Sequence, residues 1–277
     1  MKIGVRFLMF SVCLAAFAVQ ASWLPVFDSQ GFEGYTTGVS INGQGAGTWS
    51  NYATGTKVWT QNAGDPEFDI YHEVVNYGGA HGNVLKFNAT ESSWQSGLSL
   101  NLGIQGANDK YWGQSQSIKI QFDFNIAAGA EGFIDGALTT NRNAHQVVQS
   151  KIFVGNDAGN GRVAQEMRTS PAAGISWPAQ TIGTFTNDQW HSFTAIQTHT
   201  WGETNGFTKV YLDDVLLGTY YTQWAGWAGY MDDIIFDYSV TGTGAMYIDD
   251  MTVTIVPEPA TIALLGAGVM GLIRRKK

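Results

Sequence analysis

Ser117-Ile118-Lys119-Ile120-Gln121-Phe122-Asp123-Phe124-Asn125-Ile126 is the stretch that decides the fold. Its apolar residues, Ile118, Ile120, Phe122, Phe124 and Ile126, fall at every second position. A strand puts all five on one face and leaves Lys119, Gln121, Asp123 and Asn125 on the other. A face that apolar needs a second layer to cover it, while the opposite face can meet water. Strand signals continue downstream. Trp190 to Ile196 reads as a strand, and Phe207–Leu212 pairs with Val215–Gly218 across Asp213-Asp214 as a hairpin, since Asp tolerates left-handed turn conformations. Upstream, Val26-Phe27-Asp28 and Gly31–Tyr35 open the body, and Thr56–Thr60, Glu67–Val75, Asn83–Asn88 and Ser96–Leu102 read as strands, as does Gln146–Val154 further on. The spacing predicts loop-rich connections over 127–145 and 155–181. No long stretch has a helical period, and no linker divides the chain. The fold class is all-β, with residues 22–255 forming a single β-sandwich.

Composition bounds what that body can do. Six of the 15 basic side chains (Lys2, Arg6, Arg274, Arg275, Lys276, Lys277) and one of the 23 acidic ones (Glu258) lie in the terminal segments, leaving 9 against 22 and a net charge near −13. Such a balance argues against nucleic acid or anionic lipid as the body's ligand and accommodates cations or neutral polymers. Cys13 is the one cysteine and lies in the N-terminal apolar segment, so a body without it has no disulfide and depends on its core, or on a metal.

Both ends read as targeting signals. Lys2 and Arg6 precede an apolar run from Phe7 to Val19, and Val19-Gln20-Ala21 supplies small residues for signal-peptidase cleavage between Ala21 and Ser22. An uncleaved first span is the alternative. At the other end, Val256-Pro257-Glu258-Pro259 precedes the 14 mostly apolar residues Ala260–Ile273, then Arg274-Arg275-Lys276-Lys277. As a helix those 14 residues reach ~21 Å, short for a bilayer core of about 30 Å. The prolines set the upstream edge and the basic quartet stops transfer on the cytoplasmic side. This tail, residues 256–277, resembles the PEP-CTERM sorting signal. The resemblance implies an exosortase as a membrane-embedded processing partner that reads Val256 to Pro259 as substrate, and a cell-surface or extracellular-matrix destination. A permanent single-pass anchor is the reading without it.

The Trp-His strand followed by the strand–turn–strand hairpin resembles the concanavalin A-like and laminin-G-like sandwiches, which implies a jelly roll. In carbohydrate-binding jelly rolls an early Phe-Glu and a final Ile-Asp-Asp lie side by side and hold a structural Ca²⁺. Phe32-Glu33 and Ile248-Asp249-Asp250 are similar to that pair, so the resemblance implies Glu33, Asp249 and Asp250 as calcium ligands on adjacent first and last strands. A second reading needs no metal. Tyr211-Leu212-Asp213-Asp214-Val215, Tyr230-Met231-Asp232-Asp233-Ile234 and Tyr247-Ile248-Asp249-Asp250-Met251 share one pattern, an acidic turn feeding a buried strand.

Catalytic patterns are poor. Glu67, Asp69, Tyr71 and Glu73 share one strand face, but Glu67 and Glu73 stand about 20 Å apart against the ~5 Å of a retaining glycosidase pair. His72-Glu73-Val74-Val75-Asn76 lacks the second His of a zinc-protease helix, and its Val pair favours a strand. No nucleophile elbow or phosphate loop is present. Binding has a better case. Trp224, Trp227 and Tyr230, preceded by Tyr220-Tyr221, set large rings on a Gly/Ala frame that can stack on sugar rings or cap the core. The expectation is a non-enzymatic exported protein that binds polysaccharide. A structural or adhesive envelope protein comes next, and a laminarinase-type glycoside hydrolase last.

Overall fold

The computed structural model describes residues 24–41, 44, 48–53, 72–88, 96–101, 116–140, 147–150, 152–165, 180–199, 207–221 and 233–256. The first strands are β1 (Leu24–Asp28), β2 (Val39–Ser40), β3 (Thr48–Ala53), β4 (His72–Asn76), β5 (Asn83–Asn88) and β6 (Ser96–Asn101). Then come β7 (Gln116–Ile126), β8 (Ala130–Thr140), β9 (Val147–Ser150), β10 (Ile152–Asp157), β11 (Asn160–Gln165) and β12 (Gln180–Phe185). The chain continues through β13 (Trp190–His199), β14 (Phe207–Leu212), β15 (Val215–Tyr221), β16 (Asp233–Gly242) and β17 (Ala245–Val256).

They form two antiparallel sheets. The larger runs β15-β14-β13-β7-β17-β5-β4-β2 with β1 added to β17, and the smaller β12-β11-β10-β8-β16-β6-β3 with β9 added to β8. The alternation in β7 takes effect as read: Ile118, Ile120, Phe122, Phe124 and Ile126 are buried. They share one core with Phe193, Val210, Leu85, Ile248 and Val253 of their own sheet and with Ile134, Ile152, Val154 and Val163 of the other. Burying a Phe or Ile side chain gains roughly 1.5–3 kcal/mol, so this shared layer holds the sheets together.

The β14–β15 hairpin forms across Asp213 and Asp214, which take φ +49° and +63°. That is the left-handed pair a two-residue hairpin demands, met here by two aspartates without glycine. Asp213 is fixed further by accepting the Ser192 N–H at 2.9 Å and lying 2.8 Å from His191 Nδ1.

The loop-rich expectation for 127–145 and 155–181 is corrected where those intervals are described. β8 fills much of the first interval and pairs with β16 on one side and β10 on the other. In the second, β10 runs on to Asp157, β11 follows and β12 begins at Gln180, with β11 and β12 paired; residues 166–179 lie outside the described ones. Gly159, at φ +82°, serves the β10–β11 turn, whereas Gly155 serves close approach. A Cβ on Gly155 would press on the Gly132 carbonyl and on Phe133, its cross-strand partner. No helix among the described residues is long and apolar enough to cross a membrane, and the expected signal peptide and C-terminal helix lie outside them.

Candidate functional site

β17 is interrupted by a bulge. Asp249 pairs with Asp123 of β7, the next pair is Thr252 with Gln121, and Asp250 and Met251 lie between them. Asp250 absorbs the extra residue at φ +46°. Met251 is fully buried, and its N–H donates to Ser29 Oγ at 2.9 Å while Ser29 N–H returns a bond to the Met251 carbonyl at 2.8 Å. The first and last strands are thus adjacent, as expected, and locked at the bulge.

Past Ser29 the chain makes a left-handed turn, with Gln30, Gly31 and Phe32 at φ +51°, +61° and +57°. Three successive residues in that region cost backbone energy, and the burial of Phe32 offsets it. Gly31 faces the bulge so closely that a Cβ there would stand 3.3 Å from Asp250 Oδ1 and 3.5 Å from Asp249 Oδ1. Glu33 Oε1 accepts the Asn83 N–H at 3.0 Å. Gly82, at φ +45°, lies against that carboxylate, and any Cβ on it would collide with Glu33.

A short turn before β5, Gly79–His81, brings His81 over the sheet. Its Nδ1 lies 2.8 Å from Asp249 Oδ2, and Asp249 Oδ1 accepts the Asp250 N–H at 2.8 Å. The His81 ring stacks on Trp190 at a centroid distance of 3.8 Å. Tyr77, 43% exposed, meets Trp190 and Tyr247 edge-on at 5.2 and 5.1 Å and takes a 3.4 Å hydrogen bond from Asn125 Nδ2. Trp190, Asn125 and Tyr247 occupy one cross-strand row, and Ser192, Asp123 and Asp249 the row two residues along.

The carboxylates are uncomfortable there. Asp249 is 2% exposed, and burial pushes its carboxyl above the usual range; the hydrogen bonds from His81 and the Asp250 N–H pull back, and the Asp250 charge adds to the rise. Burial also raises Asp123, with the charge of Asp250 next and those of Asp249 and Asp213 further behind, against the opposing influence of His81. Burial raises the Tyr247 hydroxyl, helped by Tyr77 and Glu73. A half-dry patch of hard carboxylate oxygens attracts divalent cations, and the rings beside it offer flat faces.

Of the residues expected from the sequence, Asp249 and Asp250 come together at Gly31, while Glu33, two residues on, is turned to Asn83. Among the described residues no group of three or more His, Cys, Asp and Glu side chains converges on a point where a metal could sit. The strand-entry reading of the Tyr-apolar-Asp-Asp pattern fits the β14–β15 turn but not the third copy, which lies inside β17 at the bulge. Tyr220 packs in the core. Trp224, Trp227 and Tyr230 lie outside the described residues, as do Glu67, Asp69 and Tyr71, Ala21 and Ser22, Pro257 to Pro259, and Arg274 to Lys277. Val256 closes β17. His72 is a buried strand residue, and Glu73 bonds Lys86 and Asn88, as a strand reading of that stretch requires.

Sequence reading missed Tyr77, His81, Trp190 and Asp123 as one constellation. A partial signal was there, since Asp123 and Asp249 both sit at outward positions of buried strands. What joins them is register, and no spacing encodes it.

No curated protein matches the chain. Among solved structures it is similar to an endo-1,3-β-glucanase from Streptomyces sioyaensis, at 12% identity and TM-score 0.52, over 85% of this chain and 97% of that one. It is also similar to the carbohydrate esterase vb_24B_21 of the Shiga toxin-encoding bacteriophage phi24B (16% identity, TM-score 0.47, 85% of this chain and 100% of the other). A third likeness is to the alginate lyase AlyC3 (9%, TM-score 0.45, 79% and 96%). At these identities the likeness concerns the fold, and it agrees with a jelly-roll body. Residues 256–277 match the PEP-CTERM protein-sorting motif, which makes the chain an exported, exosortase-sorted protein of the cell envelope.

Proposed function

We propose that the β-sandwich is a non-catalytic polysaccharide-binding domain, held at the membrane by its C-terminal segment and then passed to the cell surface or matrix. The observation that carries this reading is the outer face of the larger sheet. There Tyr77, Trp190 and Tyr247 form a connected aromatic group beside Asn125, His81 and Asp123. Rings that present apolar faces next to hydroxyl-binding groups suit sugars, whose C–H faces and hydroxyls alternate. Trp224, Trp227 and Tyr230 belong to the same proposal as further stacking rings. So does calcium at Asp249 and Asp250, with Glu33 in support. Two mutually repelling carboxylates at a bulge supply hard oxygen donors, and a cysteine-free body gains stability from such a clamp.

Glycan-array binding by the full chain in detergent tests the reading. Tyr77→Ala and the Trp224→Ala/Trp227→Ala pair should each weaken binding about 3- to 10-fold, the range for loss of one or two ring contacts. Full retention by all of these variants would remove the aromatic surfaces from the account. Turnover of a β-glucan by the wild type would remove the non-catalytic part.

One observation favours a second reading, adhesion to another protein. Val215 and Leu216 on edge strand β15 are 64% and 49% exposed, and an exposed apolar edge is a pairing surface. Pull-down from envelope proteins that is lost in Val215→Lys/Leu216→Lys would support it.

A further inference from the structure

One row of side chains crosses five strands on the outer face of the larger sheet. Trp190 of β13 pairs with Asn125 of β7, Asn125 with Tyr247 of β17, Tyr247 with Lys86 of β5, and Lys86 with Glu73 of β4. The chain neighbours Phe124, Ile248, Leu85 and Val74 are buried in the core, so the row faces outward. Four strand spacings of about 4.8 Å make it roughly 19 Å long. One half is aromatic, with Tyr77 set edge-on against Trp190 and Tyr247 and bonded to Asn125.

The other half is polar. Lys86 Nζ donates to Glu73 Oε1 at 3.3 Å, and the same oxygen accepts from Asn88 Nδ2 at 3.2 Å. The Lys86 and Glu73 side chains stay 26% and 27% exposed. Among the described residues Glu73 Oε2 accepts no hydrogen bond, and Lys86 Nζ has two further protons to give. The surroundings are acidic. Asp123 and Asp249 fill the next row, two residues along their strands and ~7 Å away, with Asp250 beside them. His81 is engaged with Asp249. Along β7 the next lysine, Lys119, is six residues from Asn125, ~20 Å and about two screening lengths off.

We infer that this row is a track for a linear neutral polysaccharide lying across the strands from Tyr77 to the Lys86–Glu73 pair, and that the pair selects neutral glycans over polyuronates and sulfated ones. The inference rests on the polysaccharide-binding reading and names its ligand class. A sugar hydroxyl donates and accepts at once. Two neighbouring hydroxyls therefore give a proton to Glu73 Oε2 and take one from Lys86 Nζ while the ion pair stays intact. A uronate carboxylate matches Lys86 but sets a second negative charge against Glu73, with Asp123 and Asp249 in the next row, and such like-charge juxtaposition is how wrong partners are rejected. Each unit of an extended glycan advances by roughly one strand spacing, so the row takes about four units.

The test applies the full chain in detergent to an array of neutral glucans, mannans, xylans and galactans beside polyuronates and sulfated glycans. EGTA is present, so that no calcium bridges an acidic glycan to Asp249. Calorimetry then follows the best neutral glycan, and an oligouronate, at lengths of two to six units. The expected result is a neutral glycan as the tightest ligand, with affinity rising to about four units and then levelling. Glu73→Gln should weaken that ligand about 10-fold, the worth of one hydrogen bond to a charged group, and strengthen the oligouronate about 3-fold. Lys86→Met should weaken both. Far-ultraviolet circular dichroism should be unchanged in the two variants, since a part-exposed ion pair adds little stability. An acidic glycan as the tightest ligand in EGTA overturns the inference while polysaccharide binding stands. So does neutral binding that ignores both variants. Binding to no glycan on the array overturns the polysaccharide reading, and this inference with it.

Discussion

Replacing Asp123 with Asn should stabilise the protein at neutral pH when no calcium is present. Asp123 stands opposite Asp249 on the neighbouring strand, with Asp250 beside it, and both Asp123 and Asp249 have carboxyls raised by burial and by neighbouring acids. A carboxylate raised in the folded state is destabilising when ionised. Its contribution is most favourable below the unfolded pKa of about 3.9 and is lost as pH climbs through the folded value. Like charges directly opposite across two strands cost up to about 1 kcal/mol at a part-exposed site. The gain from Asp123→Asn at pH 7 in a chelator is accordingly about 1 kcal/mol, a rise in Tm of about 2–4 °C for a body of this size. By pH 3.5 the wild-type carboxyls are largely protonated and the gain should vanish. Scanning calorimetry at pH 7 and pH 3.5 in EGTA measures both. With calcium added at pH 7 the gain should shrink, because a cation held by Asp249 and Asp250 would offset the charges that load Asp123. A lower Tm for Asp123→Asn in EGTA at pH 7, or equal increments at both pH values, would refute the account of an acid row under electrostatic load.

Further outcomes follow from the same geometry. Calcium at a hundred times its dissociation constant should raise the wild-type Tm by several degrees, since such occupancy is worth about 2.7 kcal/mol; a Tm indifferent to calcium and chelator alike would end the metal reading at Glu33, Asp249 and Asp250. Gly82→Ala should lose roughly 2–4 kcal/mol in urea unfolding, from its φ of +45° and from displacing Glu33 off the Asn83 N–H, and only the first part should remain in a Glu33→Ala background. In the hairpin, Asp214→Gly should stabilise by about 0.5 kcal/mol, whereas Asp213→Gly should destabilise by about 1–2 kcal/mol through loss of its bonds to Ser192 and His191. Thermal melts separate the two, and equal effects would mean the aspartates act alike.

The frame of the fold was legible because period-two patterning is local. β7 shows its inward face residue by residue, and the Asp213-Asp214 turn announces itself between two apolar runs. β8 was not legible. Its Ala130-Glu131-Gly132-Phe133 start and later Gly136-Ala137 carry no alternation, because glycine at this position answers to the neighbouring backbone, as Gly155 opposite Phe133 does. The site was half legible. Phe32-Glu33 and Ile248-Asp249-Asp250 were expected to meet, and Asp249 and Asp250 do reach Gly31. Yet Asp249 is bonded to His81, 168 positions away, and that encounter depends on which strands become neighbours. Trp190 looked like the head of a strand and turned out to be the floor under His81 and Tyr77.

β17 is last in the chain yet central in the larger sheet, with β7 on one side and β5 and β1 on the other. Strands from the two halves of that sheet therefore have no common partner until the final dozen residues of the body have crossed the translocation channel. Pairings of such long sequence separation are slow to form in any case. The larger sheet can therefore close only once β17, which runs directly into the sorting motif, is available to pair.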